Sequence, residues 1–317
     1  MSRLKVDKDE RTKKYMNVQR LLNHSWVVKT SIFIGESLPP KLGYAVTRGF
    51  ARFLTAFRNS DLSRHVRANQ WVAQGENLSY EELVQATRSV LTHAGRCYYD
   101  LYHTWTDIQA QREMVPISDP IEEFIAATKS QQGTLVVAPH LSNFDLAVRA
   151  LASYGLKAKI LTLENPTGGQ RVQNKLRETT GLDITPLGDP KVYSEVIQHL
   201  KDGGVAATGV DRPSPKRKKR HQVQFLGRPS ALPVGYIRLA LAADVPITVV
   251  AAKMLPSQKY SLLHSGPITL KKFSDRVKEV VYNAEMILEI IGEYILQAPE
   301  QWLMYYPVWP ELMEEVP

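Results

Sequence analysis

The segment Thr134-Leu-Val-Val-Ala-Pro-His-Leu-Ser-Asn-Phe-Asp145 sets the fold class of the chain. Its first five residues form a short apolar run that is typical of a buried strand, and a helical pattern follows from Asn143 to Tyr154. The same alternation continues, with further strands predicted at Ala158–Leu163, Asp183–Leu187, Val205–Thr208, Gln222–Phe225 and Pro246–Ala251. Helices are predicted between them at Gly168–Thr180, Pro190–Asp202 and Pro233–Ala243, and a closing helix at Ser274–Gln297. Because repeated strand-helix-strand units favour right-handed crossovers, we predict an α/β fold with a largely parallel central sheet flanked by helices.

The residues before position 116 lack this alternation and are predicted to be helical. The clearest helix runs from Leu42 to Phe57, where apolar residues form one stripe and Arg48 and Arg52 lie off it. This pattern fits a helix that covers the core and also fits a basic amphipathic helix lying in a membrane surface. We expect residues 1–115 to form an N-terminal, membrane-docking helical portion packed on an α/β body of residues 116–317, as one continuous domain.

Composition narrows the class of protein. Hydrophobic residues make up 44% of the 317 residues and charged residues 23%, which excludes a disordered chain and a fibrous repeat. The single cysteine, Cys97, excludes a disulfide framework and a multi-cysteine metal site, and a buried apolar thiol is the commoner role for such a residue. No uncharged apolar run reaches the ~18 residues of a spanning helix. The charged start lacks the apolar centre of a secretion signal, so we expect an intracellular protein.

Positive charge is concentrated in two segments. Residues 1–60 contain 12 Lys or Arg and 4 Asp or Glu, and residues 212–238 contain 8 Lys or Arg and no acidic residue. The whole chain carries +8, so the remainder carries −8. The run Lys216-Arg-Lys-Lys-Arg220 fits a solvated loop, a seat for anionic headgroups, or a contact for an acidic carrier protein. Two basic segments on an acidic body favour an anionic partner, such as an anionic membrane surface.

His140 is the strongest candidate for chemistry because it follows a strand and precedes a helix. Ligands of open α/β sheets bind at the carboxyl ends of the strands, where a neutral imidazole can act as a general base. A carboxylate on its second nitrogen would orient the ring, and Asp145 is the nearest in sequence. Asp145 also fits a capping box with Ser142, which for an arbitrary His and Asp pair is the commoner arrangement.

His140-Leu-Ser-Asn-Phe-Asp145 resembles the H-x-x-x-x-D/E motif of glycerolipid and lipid A acyltransferases, and its interior is similar to the Gly/Ser-Asn-Trp of the lauroyl/myristoyl branch. The Asp in place of Glu leans toward the phosphatidylinositol mannoside acyltransferases of that branch. Further matches in the expected order are Leu176-Arg177 ahead of Gly181, Gly209-Val-Asp211-Arg212, Phe225-Leu-Gly227-Arg228-Pro229, Pro233 with Ile237-Arg-Leu-Ala240, and Pro299-Glu-Gln-Trp302. The resemblance covers most of the chain.

The resemblance implies transfer of a fatty acyl group from acyl-CoA or acyl carrier protein to a hydroxyl of a glycolipid or phospholipid. His140 would be the general base and Asp145 its orienting partner, with no metal and no cofactor. It also implies substrate contacts by Asn143, Arg177, Asp211, Arg212 and Arg228. From the residues alone, Arg177 also fits a solvated helix residue, Asp211 a turn before Pro213, and Arg228 a surface turn.

We therefore expect a peripheral enzyme on the cytoplasmic face of the cell membrane, whose partners are a thioester donor and a membrane lipid acceptor. Two alternatives remain open. A lipid esterase or thioesterase would use water at the same His140, and a non-enzymatic protein would bind an anionic membrane or nucleic acid through its basic segments. The absence of a helix-turn-helix, zinc-finger or aromatic-basic RNA motif disfavours nucleic acid.

Overall fold

The computed structural model describes residues 18–128, 133–213 and 222–317. The basic run Lys216–Arg220 lies outside the described residues, as do the first 17. The chain begins with helices only, which are α1 (Val18–Leu22), α2 (Ser25–Ser37), α3 (Pro40–Ala56), α4 (Asp61–Ala73), α5 (Tyr80–His103), α6 (Ile108–Met114) and α7 (Asp119–Thr128). The start of α5 is fixed by a capping box, in which Ser79 Oγ accepts from the Glu82 amide and the Glu82 carboxylate accepts from the Ser79 amide.

Strands and helices then alternate. The strands are β1 (Thr134–Ala138), β2 (Lys159–Leu163), β3 (Asp183–Leu187), β4 (Val205–Gly209), β5 (Val223–Phe225), β6 (Arg228–Ser230), β7 (Ile247–Met254) and β8 (Tyr260–Ile268). The helices are α8 (Phe144–Ser153), α9 (Gly168–Glu178), α10 (Pro190–Lys201), α11 (Gly235–Ala243) and α12 (Arg276–Leu296). Two short 3-10 helices, Pro299–Gln301 and Pro310–Glu314, follow α12.

Six strands form the central sheet in the order β3-β2-β4-β1-β7-β8. Every neighbouring pair is parallel except β7 and β8, so the predicted α/β class with a largely parallel sheet is confirmed. The carboxyl ends of β1, β2, β3 and β4 consequently meet at one edge of the sheet.

Two features of the strands differ from the sequence prediction. The predicted strand at Gln222–Phe225 exists as β5, but it pairs antiparallel with β6 in a separate two-stranded ribbon that packs on α12. The edge strand β8 was not predicted, because most of its residues are half-buried and Gly266 and Pro267 interrupt its apolar pattern.

The two faces of the sheet bury different sets of side chains. Leu135 and Val137 of β1 pack on one face with residues of α10, α11 and α12, whereas Val136 packs on the other face with residues of α7 and α8. A third cluster joins the N-terminal helices to the body, because residues of α4 and α5 share it with Leu146 and Ala150 of α8.

Helix α3 packs on the protein through its small residues. A Cβ atom on Gly43 would overlap the Tyr99 ring of α5, and a Cβ atom on Gly95 of α5 would lie 3.0 Å from Thr47 Cβ. Leu54 of α3 is buried in the cluster shared with α5, whereas Leu42, Val46, Phe50 and Phe53 are between 43% and 58% exposed. Apart from Leu54, this stripe therefore does not cover the core. Within the described residues, no helix combines the length and apolar character that crossing a membrane requires.

Candidate active site

The loop after β1 meets the loop after β4 because the two strands are paired in register. Ala138 pairs with Gly209, so His140, two residues beyond Ala138, lies beside Asp211, two residues beyond Gly209. His140 Nδ1 is 2.6 Å from Asp211 Oδ1, and the His140 backbone N–H donates to Asp211 Oδ2 at 2.9 Å. Parallel pairing thus joins a histidine and a carboxylate that are 71 residues apart in sequence.

Asp211 is held as an ionised carboxylate although it is fully buried. Burial acts to raise the pKa of Asp211, but the imidazole of His140, the indole N–H of Trp302 at 2.8 Å and the His140 amide lower it more, so its pKa lies below the ordinary value. An ionised carboxylate can only accept hydrogen bonds, so Nδ1 of His140 carries the proton. In the neutral imidazole this tautomer leaves Nε2 as the acceptor, which is the form that a general base needs.

The His140 ring has one protected side and one accessible side. Phe144 contacts it edge to face, with ring centroids 5.1 Å apart, and a Cβ atom on Gly209 would lie 2.9 Å from His140 Cε1. The imidazole side chain is still 27% exposed, whereas that of Asp211 is 0% exposed. A substrate can therefore reach the His140 ring, while the Asp211 carboxylate that binds this ring stays shielded from water.

The segment around Trp302 holds the loop from the other side. The Leu303 N–H donates to the His140 carbonyl and the Ser142 N–H donates to the Gln301 carbonyl, each at 2.8 Å. Together with the Trp302 indole on Asp211, these bonds fix both the backbone of the loop and the carboxylate that faces the ring.

The predicted pairing of His140 with Asp145 is wrong. Both residues are described by the structure, and no hydrogen bond or ion pair joins them. Asp145 lies in the first turn of α8, where its carboxylate accepts from Arg177 Nε at 2.7 Å and Nη2 at 2.6 Å. Asp211 already occupies Nδ1 of His140, so the orienting carboxylate comes from the neighbouring strand and not from the following helix.

The capping-box alternative for Asp145 is also wrong. The residue that caps α8 is Asn143, whose Oδ1 accepts from the Leu146 N–H at 3.3 Å. Its Nδ2 donates to the Cys97 carbonyl, and the side chain is buried. Both polar atoms of the Asn143 side chain are therefore already hydrogen-bonded within the protein, which disfavours its predicted contact with the substrate.

Arg177 and Asp145, which it binds, both line a small open cleft in the surface. The third guanidinium nitrogen of Arg177, Nη1, donates to Asn174 Oδ1. The apolar wall of the cleft consists of Leu101, Tyr102, Trp105 and Leu176, and Arg149 and Gln173 complete its polar side. The cleft thus offers a mixed surface next to α8, whose first turn adjoins His140.

The other two predicted arginines are in different electrostatic states. Arg228 forms a two-point ion pair with Glu76, so its charge is neutralised within the protein. The Arg212 guanidinium stacks 3.8 Å over the Tyr306 ring, and within the described residues no carboxylate forms an ion pair with it. Burial lowers the pKa of Arg212 from its ordinary value, but an arginine remains protonated at neutral pH. Arg212 is therefore a cation next to Asp211 that can still bind an anion.

The profile of a family described as bacterial lipid A biosynthesis acyltransferase matches residues 10–310. The chain belongs to this family. The resemblance read from the His140 motif and the ordered segments after it is thereby confirmed, and the protein is an acyltransferase that acts on lipid substrates. No curated protein sequence matches the chain.

Sequence reasoning missed three residues of this candidate site. Trp302 was recognised as part of a matching segment but not as a donor to Asp211, and Gly209 was not recognised as the residue that leaves room for the imidazole. The contact of His93 with Ser142 was missed as well. In the described parts of the chain, no group of three or more His, Cys, Asp or Glu side chains could hold a metal ion.

Proposed function

We propose that this acyltransferase moves a fatty acyl group from a thioester donor, acyl-CoA or acyl carrier protein, to a hydroxyl of a glycolipid or phospholipid at a membrane surface. The observation that carries the proposal is the accessible His140 imidazole with its Nδ1 proton held by the buried Asp211 carboxylate. This arrangement supplies a general base that is oriented before the substrate arrives.

The proton path follows from this tautomer. His140 Nε2 takes the proton of the acceptor hydroxyl while the alcohol oxygen attacks the thioester carbonyl. The resulting imidazolium is stabilised by Asp211, since a charge-assisted hydrogen bond is roughly twice as strong as a neutral one. When the tetrahedral intermediate collapses, the C–S bond breaks and the imidazolium returns the proton to the leaving thiolate. A thioester is already activated, so these steps need no protein nucleophile, metal or cofactor.

Arg212 is proposed to bind a phosphate of the donor or of the acceptor headgroup. Its guanidinium is held in a fixed orientation by Tyr306 and lies one residue from Asp211, so a bound phosphate would lie near the reacting atoms. Arg177 and Arg228 are less suited to this role because each is paired with a carboxylate, Asp145 and Glu76 respectively.

The exposed faces of α2 and α3 are proposed to lie in the cytoplasmic leaflet. Trp26 and Phe33 of α2 are 54% and 67% exposed, and the large apolar residues of α3 are exposed as well. Lys41, Arg48 and Arg52 are exposed on the same helix, and residues 37–60 contain no acidic side chain. Apolar side chains with cations among them suit an anionic bilayer, where each nearby cation contributes ~1 kcal/mol.

The reaction is tested by incubating the purified protein with acyl-CoA or acyl carrier protein and a bacterial lipid extract, and identifying acylated lipids by mass spectrometry. We expect new acylated lipid with the wild type and none with His140→Ala, whose melting temperature serves as the folding control. Release of free fatty acid that does not depend on added lipid would identify an esterase instead. Full transfer by a folded His140→Ala variant would refute the proposed base.

Membrane docking is tested by sedimentation with vesicles of anionic or neutral lipid. Phe50→Ser and Phe53→Ser should each weaken binding about fivefold, since each ring is about half exposed and its burial in lipid contributes about 1 kcal/mol. The matched control is Val277→Ser on α12, a residue that is 54% exposed outside the proposed face. Equal effects of all three variants would contradict the assignment of this face.

A further inference from the structure

A buried polar cluster lies beneath the His140 loop on the side of α5. His93 Nε2 is hydrogen-bonded to Ser142 Oγ at 2.9 Å and lies 3.3 Å from Cys97 Sγ. The next helical turn of α5 binds the same loop, because the Cys97 carbonyl accepts from Asn143 Nδ2. Helix α5 therefore holds two consecutive residues of the loop through two separate hydrogen bonds.

Ser142 needs such support because its backbone is in the left-handed region, with a φ of 49°. A residue with a Cβ atom is strained there by about 1–3 kcal/mol and keeps this conformation only when its surroundings hold it. Two hydrogen bonds hold Ser142: its amide donates to the Gln301 carbonyl, and its hydroxyl is bonded to His93 Nε2. Since only Leu141 separates Ser142 from His140, relaxation of this residue would turn the catalytic ring.

The cluster itself is not a second catalytic site. Ser142 is 0% exposed, so its hydroxyl cannot reach an acyl donor. Burial and, to a smaller extent, the nearby Arg96 charge lower the pKa of His93 to about 4, so the imidazole is neutral at pH 7. Burial likewise raises the pKa of the Cys97 thiol, which keeps that group in its unreactive protonated form.

We infer that His93 is a positioning residue, which binds Ser142 Oγ and thereby keeps the loop in the conformation that presents His140 Nε2 to the substrate. This inference rests on the proposed function of His140. His93 acts through Ser142 and touches neither the donor nor the acceptor.

The first test does not depend on the reaction. In protein labelled with ¹⁵N-histidine, the proton shared by His140 and Asp211 should give a downfield resonance, which is assigned by its loss in His140→Ala. His93→Gln should leave this resonance in place, because a glutamine amide nitrogen reaches about as far as imidazole Nε2. His93→Asn, whose amide is one carbon shorter, and His93→Leu should shift or broaden it. An unchanged resonance in both would overturn the inference even if the natural acceptor were misassigned.

The second test separates positioning from folding by kinetics. His93→Leu and His93→Asn should lower kcat about 10- to 100-fold, the range expected for a displaced catalytic group, with KM within about twofold. His93→Gln should restore kcat to near the wild-type value. Equal kcat values for the Gln and Asn variants would overturn the inference, as would a wild-type kcat in His93→Leu.

Changes at Ser142 keep the inference testable if the Leu variant does not fold. Ser142→Ala removes the hydroxyl but keeps the strained backbone, so kcat should fall about as far as in His93→Leu. Ser142→Gly removes the strain as well, because glycine adopts a positive φ without cost. In the Ser142→Gly background, His93→Leu should therefore lower kcat by no more than about twofold. An undiminished kcat in Ser142→Ala, or the same loss from His93→Leu in both backgrounds, would overturn the inference.

Discussion

Replacing Asp211 by asparagine is expected to remove nearly all turnover, because the amide would hold His140 in the wrong tautomer. Asp211 Oδ2 accepts two N–H groups, one from the His140 backbone and one from the Trp302 indole. The asparagine must therefore place its amide oxygen there and turn its NH₂ group toward His140 Nδ1. Nδ1 would then accept, the imidazole proton would move to Nε2, and no lone pair would face the acceptor hydroxyl.

The expected size of the loss follows from the role of the base. General base catalysis contributes about 10²- to 10⁴-fold to a rate, so kcat of Asp211→Asn should fall by about that factor with little change in KM. The measurement is initial-rate transfer from acyl-CoA, with the melting temperature as the folding control.

Asp145→Asn is the matched comparison for this experiment, since it makes the same chemical change at a carboxylate that contacts Arg177 and not His140. It should keep the wild-type pH dependence of kcat/KM and lose stability instead, because the Arg177 charge remains unpaired in a partly buried position. If Asp145→Asn abolished transfer and altered the pH profile while Asp211→Asn kept near-wild-type turnover, our assignment of the orienting carboxylate would be refuted.

Two further predictions concern stability and space at the site. His93 has a pKa of about 4 in the folded protein and an ordinary value of 6.5, so the unfolded chain takes up a proton that the folded protein excludes. Stability is therefore unaffected above pH 6.5 and falls by about 3 kcal/mol as the pH drops to about 4, and urea titrations should find this loss in the wild type but not in His93→Gln. Gly209→Ala would place a Cβ atom 2.9 Å from His140 Cε1 and push the ring away from Asp211, so kcat should fall by about tenfold at an unchanged melting temperature. A wild-type kcat in this variant would contradict the packing of the ring against β4.

The parallel strands could be predicted because the information that specifies them is local. The run Asp183–Leu187 is bounded by turn residues and was predicted to the residue, and β1 was as well. β8 was not predicted, since a half-buried edge strand owes its pairing to β7 and not to its own apolar pattern. The apolar stripe of α3 was also recognised, but which side of that helix faces the protein depends on the fit of Gly43 against Tyr99, which no helical periodicity can reveal.

The candidate site also contains one residue that the local sequence identifies and another whose role depends on the order of the strands. His140 was recognised because a histidine that closely follows a buried strand lies at the carboxyl end of that strand, where ligands of open α/β sheets bind. Asp211 was recognised as a candidate substrate contact, but its pairing with His140 depends on β4 lying next to β1, and strand order is a property of the whole sheet. Asp145 was chosen as the partner of His140 because of the H-x-x-x-x-D resemblance, but a short spacing in sequence is a poor guide to contact where the chain turns through a left-handed residue such as Ser142.

Helix α5 connects the proposed membrane face to the catalytic loop. Tyr99 and Gly95 on one side of α5 receive α3 in close contact, and His93 and the Cys97 carbonyl on the other side hold the loop. Close contact through small residues leaves α3 little freedom to move against α5. The position of His140 relative to the proposed membrane face of α3 is therefore set by one rigid helix, as the proposed transfer to a lipid acceptor at a membrane surface requires.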